Sequence, residues 1–259
     1  MNTPSQIATN FIGVGEKKTS LSNGKLLLLG IFAGFFIALA GAGSTVASTT
    51  VADPSFGKLL NAIIFPSGLA MVILAGSELF TGNSLIIVSV LNKNVSVKAM
   101  LRNWVIVYLG NFIGSLIVAV LVVYGHTPDL FGGALAETMV KIASGKLSLT
   151  FVEGLFRGIL CNFLVCIAVW MAASASEAHG KVIALFLPIA VFILCGFEHC
   201  VANMFSVPVG ILVSSEYGIV AEGLTWMNFI VKNLIPVTLG NIIGGCAVGA
   251  GYWLAYLKK

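Results

Sequence analysis

Residues 196–205, GFEHCVANMF, set a carboxylate and an imidazole side by side, Glu198 and His199, within a run that carries no other charge. A charge at bilayer depth costs about 2.5–3.5 kcal/mol even on insertion scales, so this pair needs a reason. One role for Glu198 is to cap backbone N–H groups freed where a helix breaks. The other is to orient His199 or bias it electrically. His199 is the one histidine in an apolar segment, since His126 and His179 fall in polar connections. An imidazole with its ordinary pKa of about 6.5 can donate a hydrogen bond to an anion or exchange a proton near neutrality.

The earlier stretch GSELFTGN, residues 76–83, carries Glu78 in the matching place and Thr81 close behind it. The Thr81 hydroxyl either meets a solute or satisfies local backbone. Asn162 is an isolated amide in GILCNFLVCIAVW; it serves helix packing or donates to a vestibule. Lys146, in ASGKLSLTF, either attracts anions or snorkels to headgroups. Glu153 and Arg157, four residues apart, are expected to form a local ion pair. Phe65, Leu69, Leu79, Phe80, Val165 and Phe192 are candidates for apolar constrictions, with ordinary packing as the alternative. The residues point to a pathway for a small solute, an anion in particular.

Such groups need a scaffold, and composition dictates its kind. The chain of 259 residues is 58% hydrophobic and 9% charged, with a mean hydropathy of +1.02. Soluble domains carry about 25% charged residues, so the bilayer is the expected solvent. The apolar runs are continuous, not alternating, which selects helices over a barrel. Six are read, at about residues 25–48, 60–91, 101–124, 151–173, 182–213 and 226–257. The second and fifth exceed what one span needs and carry Gly and polar residues midway, the mark of broken helices.

Loop cations set the orientation. Lys17, Lys18, Lys25, Lys93, Lys98, Arg102, Lys181, Lys258 and Lys259 fall on one side, read as cytoplasmic with both termini. Lys58, Lys141 and Lys146 fall on the other. Residues 1–24 read as a retained cytoplasmic arm, not a signal peptide, and 25–259 as the channel domain. The net charge of +4 comes without basic runs, which argues against nucleic acid. The five cysteines lie in apolar runs without metal-ligand spacing and read as packing residues. No metal and no cofactor are expected.

The halves resemble each other. NWVIVYLGNFIG (103–114) aligns with NLIPVTLGNIIG (233–244), GSELFTGN with GFEHCVAN, and GIFAGFFIALA (30–40) more weakly with GILCNFLVCIA (158–168). Three spans per half make the second copy inverted, with repeats at about 25–124 and 151–257. The fold class expected is an all-α membrane protein with two inverted three-helix repeats. A solute pathway then runs at the repeat interface.

ELFTGNSLI, GKLSLTFVEG, GILCNFLVCIAVWM, GFEHCVANMF and NLIPVTLGNIIGG together resemble the formate/nitrite transporter family, whose branches include a hydrosulfide channel. The resemblance spans nearly the whole chain. It implies a homopentamer with an aquaporin-like pore in each protomer, passing formate, nitrite or hydrosulfide across the plasma or inner membrane. It also implies that His199 after Glu198 is the central histidine, Thr81 its partner in the first break, Lys146 the vestibule lysine and Asn162 the amide below it. Phe65 and Phe192 would form the outer slit; Leu69, Leu79, Phe80 and Val165 would form the inner one, with the 79–83 loop changing between open and closed forms. KLSLTF departs from the pattern by lacking histidines found in some relatives.

Two rival classes fit parts of the pattern. An aquaporin-type channel for small neutral solutes shares the architecture, but its paired Asn-Pro-Ala signatures are replaced by Gly82-Asn83-Ser84 and Ala202-Asn203-Met204. An intramembrane enzyme would need a nucleophile with a base, and no Gly-x-Ser-x-Gly stretch occurs. The reading is therefore transport, not catalysis.

Overall fold

The computed structural model describes residues 1–258; Lys259, counted above with the cytoplasmic cations, lies outside the described residues. The described chain is helical: α1 (Pro4–Ser20), α2 (Asn23–Ser48), α3 (Pro54–Ile64), α4 (Pro66–Ala75), α5 (Ile87–Leu91), α6 (Val97–Tyr124), α7 (Ala134–Leu147), α8 (Phe151–Ala172), α9 (Ala178–Leu194), α10 (Cys200–Glu216), α11 (Trp226–Asn228) and α12 (Ile235–Tyr256). Among the described residues, five stretches are long and apolar enough to cross a membrane: α2, α3 with α4, α6, α8, and 226–256 through α12. The apolar helices α9 and α10 are shorter, at 17 residues each.

Both expected breaks are present, and glycine makes them. α4 stops at Gly76, whose φ of +80° is a left-handed terminus that costs glycine little. α9 stops at Cys195, followed by Gly196 at φ +66°. The non-helical backbone beyond each stop must find partners inside the protein. One asparagine serves each loop. Asn111 on α6 accepts from the Phe80 N–H at 2.9 Å and donates to the Gly30 and Glu78 carbonyls at 2.8 and 2.9 Å. Asn241 on α12 accepts from the Cys200 N–H at 2.9 Å and donates to the Gly158 and Glu198 carbonyls at 2.8 and 2.9 Å. These are the aligned asparagines of the two Leu-Gly-Asn motifs.

Small residues let the supporting helices touch, as in membrane packing generally. A Cβ on Gly34 or Gly114 would collide with backbone across the α2–α6 contact, and one on Gly240 or Gly244 would do so across α8–α12. Those backbones therefore sit close enough for Asn111 and Asn241 to reach across them.

Two elements add to the sequence reading. Residues 1–24 are more than an arm: α1 starts with a Thr3–Gln6 capping box and buries Ile7, Ala8 and Phe11. Ser89 Oγ on α5 donates to the Phe11 and Ile12 carbonyls at 3.0 and 2.9 Å, with Gly15 packed beneath it. The connection between the third and fourth apolar runs forms α7, which packs on α10. The expected Glu153–Arg157 ion pair is absent among the described residues. Glu153 instead closes the α8 capping box, accepting from the Thr150 N–H and hydroxyl at 2.8 Å each. Cys161, Cys166 and Cys200 are buried as packing residues, while Cys195 at the second break is exposed.

Candidate functional site

The two breaks meet. Thr81 Oγ1 lies 2.9 Å from His199 Nε2, and both residues are buried, at 0% and 3% exposure. His199 also caps α10: its Nδ1 accepts from the Ala202 N–H at 3.0 Å. A nitrogen that accepts carries no proton, so the ring is neutral with its hydrogen on Nε2. His199 Nε2 therefore donates to Thr81 Oγ1. Protonating Nδ1 would remove the cap and set a cation at the positive end of a helix. The ring face also lies against Phe192, with centroids 6.0 Å apart.

A cavity approaches this contact from each side. One, of about 260 Å³, is lined by Lys58, Lys146, Arg157, Glu198, His199 and Asn203, with Phe65 and Phe192 among its apolar walls. The other, of about 720 Å³, is lined by Lys17, Lys18, Lys181, Glu78 and Asn83, with Leu69 and Leu79 among its walls. Phe65 and Leu69 are four residues apart on the α3–α4 axis, about 6 Å at 1.5 Å per residue. Phe65 lines the smaller cavity and Leu69 the larger. Each cavity sets three cations against one carboxylate.

Each carboxylate is held the same way. Glu78 pairs with Lys18 at 2.8 Å and accepts from Asn83 Nδ2 at 2.7 Å. Asn83 also donates to Asn103 Oδ1, and Asn103 donates to the Lys18 carbonyl. Glu198 pairs with Lys146 at 3.0 and 3.1 Å and accepts from Asn203 at 2.7 Å. Asn203 also donates to Asn233 Oδ1, and Asn233 donates to the Lys146 carbonyl. Charges at this depth persist when paired and hydrogen-bonded. Glu198 therefore helps hold the second break in shape, and among the described residues its carboxylate makes no hydrogen bond to the His199 ring.

The other predicted residues separate into two groups. Phe65 meets Phe192 edge-on at 5.6 Å on the wall of the smaller cavity; Leu69 and Leu79 wall the larger. Val165 is buried and lines neither cavity. Phe80 also lines neither; its ring packs edge-on against Trp104 and Tyr108, which is the packing alternative. Asn162 Nδ2 is committed to Thr81 O and Ser84 Oγ, each at 3.2 Å, and to Asn241 O at 2.6 Å. Its amide thus ties the first break to α12 and α8.

Lys18 was missed as a site residue and counted only as a loop cation. Its signal was present: Lys18, Ser20, Leu21 and Ser22 stand in the same places ahead of Gly30 as Lys146, Ser148, Leu149 and Thr150 do ahead of Gly158. The aligned Ser22 and Thr150 are the N-caps of α2 and α8. No group of three or more His, Cys, Asp or Glu side chains that could hold a metal ion occurs among the described residues.

With that geometry in place, comparisons give its context. The family model described as formate/nitrite transporter matches residues 5–254. A formate channel FocA from Haemophilus influenzae is 40% identical over 243 residues, covering 89% of this chain and 85% of that one. A probable formate transporter from Methanothermobacter thermautotrophicus is 37% identical, covering 99% and 98%. Among solved structures, a pentameric formate channel with formate bound superposes with a TM-score of 0.81 at 41% identity, covering 91% of this chain and 98% of that one. An FNT family ion channel superposes with a TM-score of 0.83 at 30% identity, covering 97% and 98%.

Proposed function

The chain belongs to the formate/nitrite transporter family, and on that premise we propose that it passes formate across the cytoplasmic membrane as its neutral acid. Nitrite and hydrosulfide are the other candidate solutes. The observation that carries the reading is the buried Thr81–His199 hydrogen bond standing between two cation-lined cavities. Six spans in two inverted repeats, a pore in each protomer of a homopentamer and cytoplasmic termini complete the proposal. The recurring Glu–Lys–Asn–Asn pattern supports the repeats. The pentameric formate channel among the similar structures supports the assembly. In this orientation the Glu78 cavity faces the cytoplasm and the Glu198 cavity faces outward.

The mechanism follows from the electrostatics. Excess cations raise the local concentration of a monovalent anion in either cavity. An ionised carboxylate cannot enter the dry apolar layer between Phe65, Phe192, Leu69 and Leu79, because isolated charge there costs tens of kcal/mol by ideal solvation arithmetic. Taking a proton from the aqueous side converts formate to formic acid, which can cross. His199 Nε2–H and the Thr81 hydroxyl offer a donor and a donor-acceptor where the solute has no water. The acid gives its proton back in the opposite cavity, so one proton travels with each anion. His199 acts as a fixed neutral donor and does not itself shuttle that proton.

The test is a panel of proteoliposomes holding the full chain. Formate flux should rise as external pH falls, and glycerol should not pass. Swelling in glycerol without formate flux would instead support a channel for neutral solutes.

A further inference from the structure

Arg157 is a half-buried guanidinium on α8 that lines the Glu198 cavity, yet among the described residues it has no ion-pair partner. The carboxylate four residues away and the one lining the same cavity both hydrogen-bond elsewhere. Glu153 is bound to Thr150. Glu198 Oε1 is taken by Lys146, and its Oε2 by Lys146, Asn203 and Asn233.

The Arg157 side chain is also not what the fold requires at this place. The Arg157 carbonyl accepts from the Glu198 N–H at 3.3 Å, holding the second break against α8. In the other half the same backbone role falls to Leu29, whose carbonyl accepts from the Glu78 N–H at 3.2 Å. Leu29 and Arg157 each immediately precede the aligned glycines Gly30 and Gly158. The scaffold is built equally well with a leucine. The guanidinium is therefore an addition confined to one cavity.

A guanidinium presents its donors in a rigid planar fork that matches an anion with two coplanar oxygens. A lysine offers only a point charge, and a single-atom anion cannot engage both arms of the fork. Lys58 lines the same cavity and forms no ion pair among the described residues. At about 260 Å³ the cavity holds a three-atom anion and several waters, each of about 30 Å³.

We propose that Arg157 is a specificity-determining residue of the Glu198 cavity, forming a reception site that favours planar two-oxygen monovalent anions, carboxylate or nitrite, over hydrosulfide. The inference rests on the anion-channel reading above. It concerns capture, ahead of the apolar layer, so it acts on half-saturation more than on maximal flux.

The experiment measures uptake of labelled formate by intact cells producing the full chain, with flux normalised to membrane-inserted protein. Hydrosulfide is added as a competitor. Arg157→Lys keeps the charge and removes the fork: the formate KM should rise about tenfold, its salt dependence should persist, and the hydrosulfide inhibition constant should stay near the wild-type value. Arg157→Gln should raise the formate KM further and flatten its dependence on ionic strength. A formate KM in Arg157→Lys that stays near wild type would overturn the proposal, as would equal changes for formate and hydrosulfide. Absence of any anion flux in the wild-type protein would instead sink the channel reading itself.

Discussion

The Glu78 and Glu198 regions share a frame and differ in what the frame holds. Both have a Lys–Glu pair, two asparagines bracing it and a third closing the loop backbone. Following the Glu, the first half reads Leu79, Phe80, Thr81 and the second reads His199, Cys200, Val201. By the alignment of Gly30 with Gly158, Leu29 in one half holds the place of Arg157 in the other. Repetition marks what any broken helix of this design needs to survive in a bilayer. Departure from it is where the proposed chemistry lies: an apolar wall and a hydroxyl from one half, an imidazole and a guanidinium from the other.

The largest effect should come from breaking the shared frame. Glu78→Gln and Glu198→Gln each take the buried carboxylate from a partly exposed lysine; breaking a fully buried pair costs about 3–5 kcal/mol, which sets the upper bound here. Both should lower the melting temperature of the detergent-solubilised protein, by comparable amounts. A variant that melts like wild type would show that its half does not depend on the pair.

Next comes the close helix contact beneath each frame. Gly114→Ala and Gly244→Ala each push a methyl into facing backbone; overpacking of this kind costs about 1–3 kcal/mol. Matching losses in thermal stability would sharpen the equivalence of the halves. Tolerance in one half alone would break it.

Much of this organisation is visible in the sequence because lipid makes the rules strict. Continuous apolar runs give the helices, and Gly76 and Gly196 mark where they stop. Glu198, His199, Thr81 and Lys146 stand out because polar side chains are costly there. Other features depend on competition that spacing does not reveal. Glu153 lies four residues from Arg157, but the free Thr150 N–H at a helix start is the better partner. Phe80 sits in the loop beside Leu79, yet its ring turns to Trp104 and Tyr108. Lys18 was hidden by its setting in a polar segment, where a lysine looks ordinary until α1 docks against Ser89.

The smallest effect should come from the cations outside the pairs. Lys58→Gln in one cavity and Lys181→Gln in the other remove charge without breaking an ion pair seen among the described residues. Formate flux should fall by about twofold at low ionic strength and recover wild-type values at high salt, where screening dominates. An equal loss at all salt concentrations would mean that these lysines act by packing.

The central claim is that His199 donates as a neutral ring while the proton travels on the acid. His199→Asn tests it, because asparagine is among the best helix N-caps and should preserve the start of α10, though it is too short to reach Thr81. The measurement is formate flux as a function of external pH in proteoliposomes, beside the melting temperature. Flux should drop by about tenfold, the scale of one lost hydrogen bond. It should still rise on acidification as the wild type does. A stable variant whose flux no longer responds to pH would contradict the account, because the imidazole itself would then be the group that titrates during transport.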